Sequence, residues 1–182
     1  MSTIYASNLN VSPDYADNSD EFKLLYNAFS GKMYSLCLRY IPNDHLAREV
    51  FLRSFADLLL NFSYLKFQDS YEDVARKVFV AGCLSFLESK EINATGNIRL
   101  SYIQRLRPLE LENLQPGQQL DLIRQLPQQK RIIFNLHEVE GYRHKEISEM
   151  LNISVLHSKT ILYGARLYMK SLLMAAGVNL KQ

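Results

Sequence analysis

Glu146-Ile-Ser-Glu-Met-Leu-Asn-Ile-Ser-Val-Leu-His-Ser-Lys-Thr-Ile-Leu-Tyr-Gly-Ala-Arg166 reads as a short amphipathic helix, a tight turn at Asn152-Ile153-Ser154, and a longer second helix. That is the outline of a helix-turn-helix, whose second helix is laid in the DNA major groove. The first helix is expected over Arg143–Leu151, with Ile147, Met150 and Leu151 inward. The second is expected from Val155 to about Ala175, with Ser154 as its N-cap.

Counting along the second helix separates two stripes. Val155, Ser158, Leu162, Ala165, Met169 and Leu172 share a face and should point inward. Ser158 is the odd member, and its hydroxyl is expected to return to the carbonyl of Ser154. Lys159, Tyr163, Arg166 and Lys170 form an outward stripe of cations and one phenol. Lys and Arg neutralise phosphates or read guanine, and Tyr donates to phosphate. His157 and Thr160, near the helix start, can reach base edges. Arg143, His144 and Lys145, opening the shorter helix, complete the candidate DNA-binding set. On an isolated helix such a stripe would read as ordinary solvated surface. The capped turn and short helix before it favour DNA.

Outward from the motif, helices are expected over Leu120–Gln125 and over Gln128–Glu138. Pro127 would open the second of these at a favoured first-turn position, and Gly141 would close it. Residues 119–182 thus make a four-helix domain. From Asn93 to Gln118 the pattern weakens, broken by Gly96, Pro108, Pro116 and Gly117. Ile98, Leu100, Tyr102, Ile103, Leu106, Leu109, Leu111 and Leu114 are too many for a free tether, so this linker should pack on something. Residues 19–92 read as a bundle of three to four helices. Ser19 or Asp20 caps the first, with Phe22, Leu25, Phe29, Met33, Leu36, Cys37 and Tyr40 apolar, and Pro42 stops it. The next starts near Asn43 or Asp44, with Leu46, Val50, Phe51 and Phe55 inward. Phe62–Asp69 is a connection. A long helix over Tyr71–Ser89 offers Val74, Val78, Ala81 and Phe86 as core. Residues 1–18 are a polar, aperiodic tail.

Composition agrees. The 182 residues are 47% apolar with only 7 Gly and 5 Pro, which suits helices with short connections. The net charge of +2 hides an asymmetry. Residues 1–92 carry 9 Lys+Arg against 12 Asp+Glu (−3), residues 93–118 carry 3 against 2 (+1), and residues 119–182 carry 9 against 5 (+4). The basic excess sits where phosphate would be met. Cys37 and Cys83, each inside an apolar helical pattern, read as buried thiols acting as small hydrophobes. No basic segment followed by an apolar run opens the chain, and Phe79–Leu87 is too short to span a bilayer. A cytoplasmic protein without membrane insertion is expected. His137-Glu-Val-Glu-Gly-Tyr-Arg-His144 fits no standard ligand spacing, so neither metal nor cofactor is expected. The absence of a Gly-rich phosphate loop or a nucleophile–base pattern points away from an enzyme.

Leu126-Pro127, Arg131-Ile-Ile-Phe134, Glu140-Gly141, Glu146-Ile147, Leu151-Asn-Ile-Ser154, Lys159, Leu162 and Ala165-Arg166 resemble, in one register, region 4 of extracytoplasmic-function sigma factors. Glu21-Phe-Lys-Leu-Leu-Tyr26, Glu49-Val-Phe-Leu-Arg53 and Cys83-Leu-Ser-Phe-Leu87 resemble region 2 of the same family, more faintly. The resemblance implies an all-α chain in which a region 2-like bundle is linked to a region 4-like helix-turn-helix domain. By it, region 2 would bind core RNA polymerase through Asp44, His45, Arg48, Glu49, Leu52 and Arg53 and help melt the promoter. Region 4 would read the upstream promoter element, and an anti-sigma factor would be the regulator.

The chain also departs from that pattern. His45 stands where the family has Asp, and Arg48 where it has Gln. Ala81 and Ser85 take the places of Asn and Asp that serve strand opening, and Glu88 that of a basic residue. Ser158 stands where Val is frequent, and Ile161 and Gly164 where Arg is frequent. These differences motivate two alternatives. One is a sigma-like DNA-binding regulator that no longer melts promoters. The other is a helical interaction module presenting Leu156, Ile161, Leu167 and Tyr168 to a partner.

Overall fold

The computed structural model describes residues 18–60, 71–88 and 114–175, with the side chains of residues 18–22 and 25 outside that description. Every regular element among the described residues is helical. The expectations for the tail, for Phe22 and Leu25, for Phe62–Asp69 and for the linker up to residue 113 lie outside the described residues.

The N-terminal half is a three-helix bundle of α1 (Asn18–Tyr40), α2 (Asp44–Leu60) and α3 (Tyr71–Glu88). Helix α1 already includes Asn18, so Ser19 and Asp20 lie within it. It ends before Pro42, which lacks the N–H to continue. Helix α2 starts where expected, and Asn43 caps it, its Oδ1 accepting the Leu46 N–H at 3.0 Å. Val50, Phe51 and Phe55 are buried, and Leu46 packs at the margin.

The face expected for α3 is corrected. Ala75, Phe79, Val80, Cys83, Leu84 and Leu87 are buried, whereas Val74, Val78 and Phe86 lie at the margin and Ala81 is exposed. Apolar residues surround most of this helix, so periodicity alone permits either face. Ring packing decides: Phe79 lies 5.6 Å from Phe51 and 6.3 Å from Phe55, centroid to centroid. Cys37 and Cys83 are free thiols with no exposed surface. A hydrogen bond between them, then burial, raises the Cys83 thiol well above its ordinary value, so it stays protonated.

Helices α2 and α3 cross closely at Gly82. A Cβ built there would sit 2.2 Å from Ser54 Oγ but 3.4 Å from Ser54 Cβ. Ser54 is buried and its hydroxyl has no partner among the described residues. Gly82→Ala should therefore give up most of the gain of about 1 kcal/mol that Ala brings to a helix interior. In a Ser54→Ala background the same change should recover it. A denaturant cycle over the two single and one double variant measures this coupling, and strict additivity would show that the helices do not meet at this pair.

The C-terminal half comprises α4 (Pro116–Arg124), α5 (Gln128–Phe134), a π-helical turn (Asn135–Val139), α6 (His144–Leu151) and α7 (Val155–Ala175). Helix α4 starts four residues earlier than expected. Pro116 opens it instead of breaking a linker, because the first-turn N–H that proline lacks would be unpaired anyway. Pro127 precedes α5 at the cap position, not in its first turn. The single helix expected over Gln128–Glu138 widens after Phe134, the Glu140 N–H reaching back five residues to the Asn135 carbonyl at 2.8 Å. Gly141, at φ +79°, then ends the segment in the left-handed region. Leu114, from the expected linker, packs against the core at its margin.

The two halves dock, with α4 and α5 against α1. Buried apolar residues of both halves form one core cluster, and polar contacts accompany it. Arg131, 6% exposed, donates from Nε to the Tyr40 carbonyl at 2.9 Å and from Nη1 to the Leu126 carbonyl at 2.6 Å. Asn135 Nδ2 donates to the Arg39 carbonyl at 2.9 Å. The last carbonyls of α1, unpaired within their own helix, are thus capped by the other half, with a cation at the negative helix end.

Candidate nucleic-acid interface

The helix-turn-helix is built from short-range chemistry. The Glu146 carboxylate accepts the Arg143 N–H at 2.7 Å and fixes the start of α6. Asn152 ends that helix in the left-handed conformation (φ 50°, ψ 45°), which Asn tolerates better than most residues. The Ile153 N–H then bonds to the Ser148 carbonyl at 3.1 Å, and the Ser148 hydroxyl donates to the Ile153 carbonyl at 2.6 Å. Ser154 caps α7 as expected, its Oγ accepting the His157 N–H at 3.0 Å.

Ser158, Leu162, Ala165 and Met169 form the buried stripe of α7, as expected. Its two ends are corrected. Val155, in the first turn, is 38% exposed, and Leu173 instead of Leu172 is the buried residue at the other end. Ser158 does not return its hydroxyl to Ser154. Its Oγ lies 3.0 Å from His144 Nδ1, tying the start of α6 to the start of α7.

The candidate DNA residues divide by exposure. Arg143, Lys145, Lys159 and Lys170 are exposed, and His157, Thr160 and Tyr163 are half-buried. The Thr160 hydroxyl donates to the Leu156 carbonyl at 3.0 Å. Arg166 departs from the expected outward stripe. Its guanidinium folds back onto the Glu138 carboxylate, with Nε at 3.0 Å and Nη2 in closer contact. His144 also turns inward, its ring centroid 4.4 Å from that of His137 in an edge-on arrangement.

Burial, then the positive neighbourhood of His137, Lys159 and Arg166, holds the His144 imidazole below its ordinary value. A depressed histidine contributes stability that is present above its unfolded value of about 6.5 and lost as pH falls through the folded value. The melting temperature is therefore expected to drop between pH 7 and pH 5 more steeply in the native chain than in His144→Gln. Parallel curves for the two would remove His144 from the pH dependence.

Lys130 was not singled out from the sequence. Its side chain lies over Gly164, where a Cβ would come 3.4 Å from Lys130 Cε, and its ammonium sits 5.1 Å from the centre of the Tyr168 ring. A lysine on α5 thus covers a position where α7 has no side chain of its own. A glycine in the middle of a long helix was the signal in the sequence.

On the N-terminal half, Asp44, His45, Arg48, Glu49, Leu52 and Arg53 project from one side of α2. All are exposed except Glu49, which is half-buried. Glu49 and Arg53 pair at 2.8 Å, and Asp44 receives Arg124 from α4 at 2.5 Å. Leu52, 59% exposed, puts an apolar side chain in the middle of this charged face. Ala81, Ser85 and Glu88 are exposed along α3. Among the described residues no group of three His, Cys, Asp or Glu could hold a metal ion, and no helix is long and apolar enough to cross a membrane.

Residues 118–167 match the family model described as Sigma-70, region 4. The match runs from within α4 to Leu167 of α7, taking in Arg131, Glu140, the Asn152 turn, Lys159 and Arg166 but not Lys170. The matched residues are thus similar to a sigma-70 region 4 helix-turn-helix, which suggests sigma-like DNA binding. The match does not extend over the N-terminal bundle. No curated protein matches the chain.

Proposed function

We infer that the chain is an RNA polymerase sigma factor of the extracytoplasmic-function type, a detachable subunit that acts by binding and performs no catalysis of its own. The observation that carries this reading is the region 4 match over a helix-turn-helix whose second helix presents Lys159, Tyr163 and Lys170 outward. In this reading α7 enters the major groove of an upstream promoter element, with Arg143 and Lys145 on the phosphates beside it. The α2 face around Leu52 docks on core polymerase, and an anti-sigma factor regulates that encounter.

A second reading, a regulator that binds polymerase and DNA without melting promoters, is favoured by α3. Its exposed positions offer Ala81 and Ser85, with little to hold an unstacked base, and Glu88, which repels phosphate. Adding the purified chain to core polymerase on genomic promoter fragments separates the readings. Run-off transcripts support the sigma factor, core binding without transcripts supports the regulator, and failure to bind either core or DNA sinks both. For the DNA contact, Lys159→Ala is expected to weaken binding across sequences and to reduce the salt slope by about one, as one lost phosphate contact requires. An unchanged slope would take Lys159 out of the interface.

A further inference from the structure

We propose that the contact between the two halves is a polar latch that holds the chain closed and keeps the α2 face from core polymerase until it is released. The structural part stands on geometry alone; the consequence for polymerase rests on the function inferred above.

Three contacts make the latch. Glu140, whose side chain is 1% exposed, reaches from the end of the π turn to Arg39 on α1 at 2.8 Å and to Arg76 on α3 at 3.9 Å. One carboxylate of the C-terminal half thus ties two helices of the N-terminal bundle. Arg131 and Asn135 cap the end of α1 through its carbonyls. Arg124 holds the Pro42 carbonyl and the Asp44 carboxylate, so the α2 face is occupied at its first residue by the chain's own C-terminal half.

The chemistry of these contacts suits a reversible device. A permanent interface is mostly apolar, and its faces would aggregate if separated. Here buried apolar residues of both halves share one core, but the groups of the latch itself are guanidinium, carboxylate, amide and backbone carbonyl, which water solvates well once the halves part. The contact is also imperfect: Arg39 Nε and Asn135 Oδ1 are buried without a partner among the described residues. Unpaired buried polar atoms cost free energy in the closed state and regain water in the open one. Beside Glu140 lies a cavity of about 460 Å³ lined by Lys32, Met33 and Arg39 of α1, Arg76 of α3, and Val139 and Glu140 of the other half. The seam is therefore incompletely filled, and salt can reach the Arg39 and Arg76 ends of its ion pairs, though not the buried Glu140 carboxylate.

Two experiments on the full chain test this. The first is small-angle scattering of the native protein and of Arg124→Glu/Glu140→Gln, with helix content read by circular dichroism on the same samples. Unlatching should enlarge the radius of gyration at unchanged helix content, and 1 M salt should enlarge that of the native chain. Equal radii in all three samples would overturn the latch. The second is Lys32→Cys/Val139→Cys bridged across the seam by a reducible bis-maleimide. These two positions line the seam without belonging to the α2 or α7 contact sets, and the native thiols are buried beyond labelling. The bridged protein should bind core polymerase at least tenfold more weakly than the same sample after reduction. Equal binding before and after would show that closure does not guard the α2 face. If the reduced sample and the native chain both fail to bind polymerase, the inferred function falls and the polymerase part of the proposal with it, while scattering alone decides whether the latch exists.

Discussion

Replacing Arg131 with Ala is expected to remove about 2–6 kcal/mol of stability, because two buried carbonyls, those of Tyr40 and Leu126, would lose their donor at about 1–3 kcal/mol each. Burial lowers the guanidinium to about 10, so it remains charged at neutral pH and the fold bears the cost of desolvating it. Hydrogen bonds to the carbonyls on both sides of the seam offset that cost. Lys should rescue only in part, since one compact ammonium cannot span the two carbonyls as a planar fork does. Equilibrium unfolding in urea measures the loss. A change below 0.5 kcal/mol, roughly that of an ordinary surface substitution, would mean that the caps on α1 are replaceable by water.

Arg131 also marks where sequence reading stops. The Arg131-x-x-Phe134 spacing and Glu140-Gly141 were legible as parts of a region 4 pattern, and Phe134 is indeed buried in that half. Nothing in the spacing could show that Arg131 and Glu140 face the other half of the chain, because the groups they meet lie 91 and 101 residues away. Local chemistry fared better. Ser154, Asn152 and Asn43 act within three or four residues of themselves, and the ends of α2, α6 and α7 followed from them. The face of α3 and the path of Arg166 did not, since one depends on rings from α2 and the other on a carboxylate of the π turn. The π turn was invisible for the same reason. Gln128–Glu138 has an unbroken helical pattern, and the widening appears where Asn135 and Glu140 engage α1. Ser158 was recognised as misplaced in an apolar stripe, but its partner His144 belongs to another helix.

The helix-turn-helix should be most vulnerable at Ile147. It is the one fully buried residue of α6, an eight-residue helix too short to persist alone in water. Met150 and Leu151 reach the core only at its margin, so α6 is held by Ile147, by the hydrogen bonds of its capped ends and by the His144–Ser158 contact. Ile147→Ala is expected to cost about 2–5 kcal/mol, enough to make α6 open locally before the rest of the domain. DNA binding should then fall at least tenfold even though none of Arg143, Lys145, Lys159 or Lys170 has changed, because α6 no longer supports the entry of α7 into the groove. Amide exchange read by mass spectrometry on peptides covering 144–151 should accelerate, while peptides from α1 to α3 keep their protection. If α6 stays protected in Ile147→Ala while DNA binding is lost, the side chain would be acting on α7 directly. If protection and DNA binding both survive, the short helix is held by its caps, and its packing contributes less than the burial of Ile147 indicates.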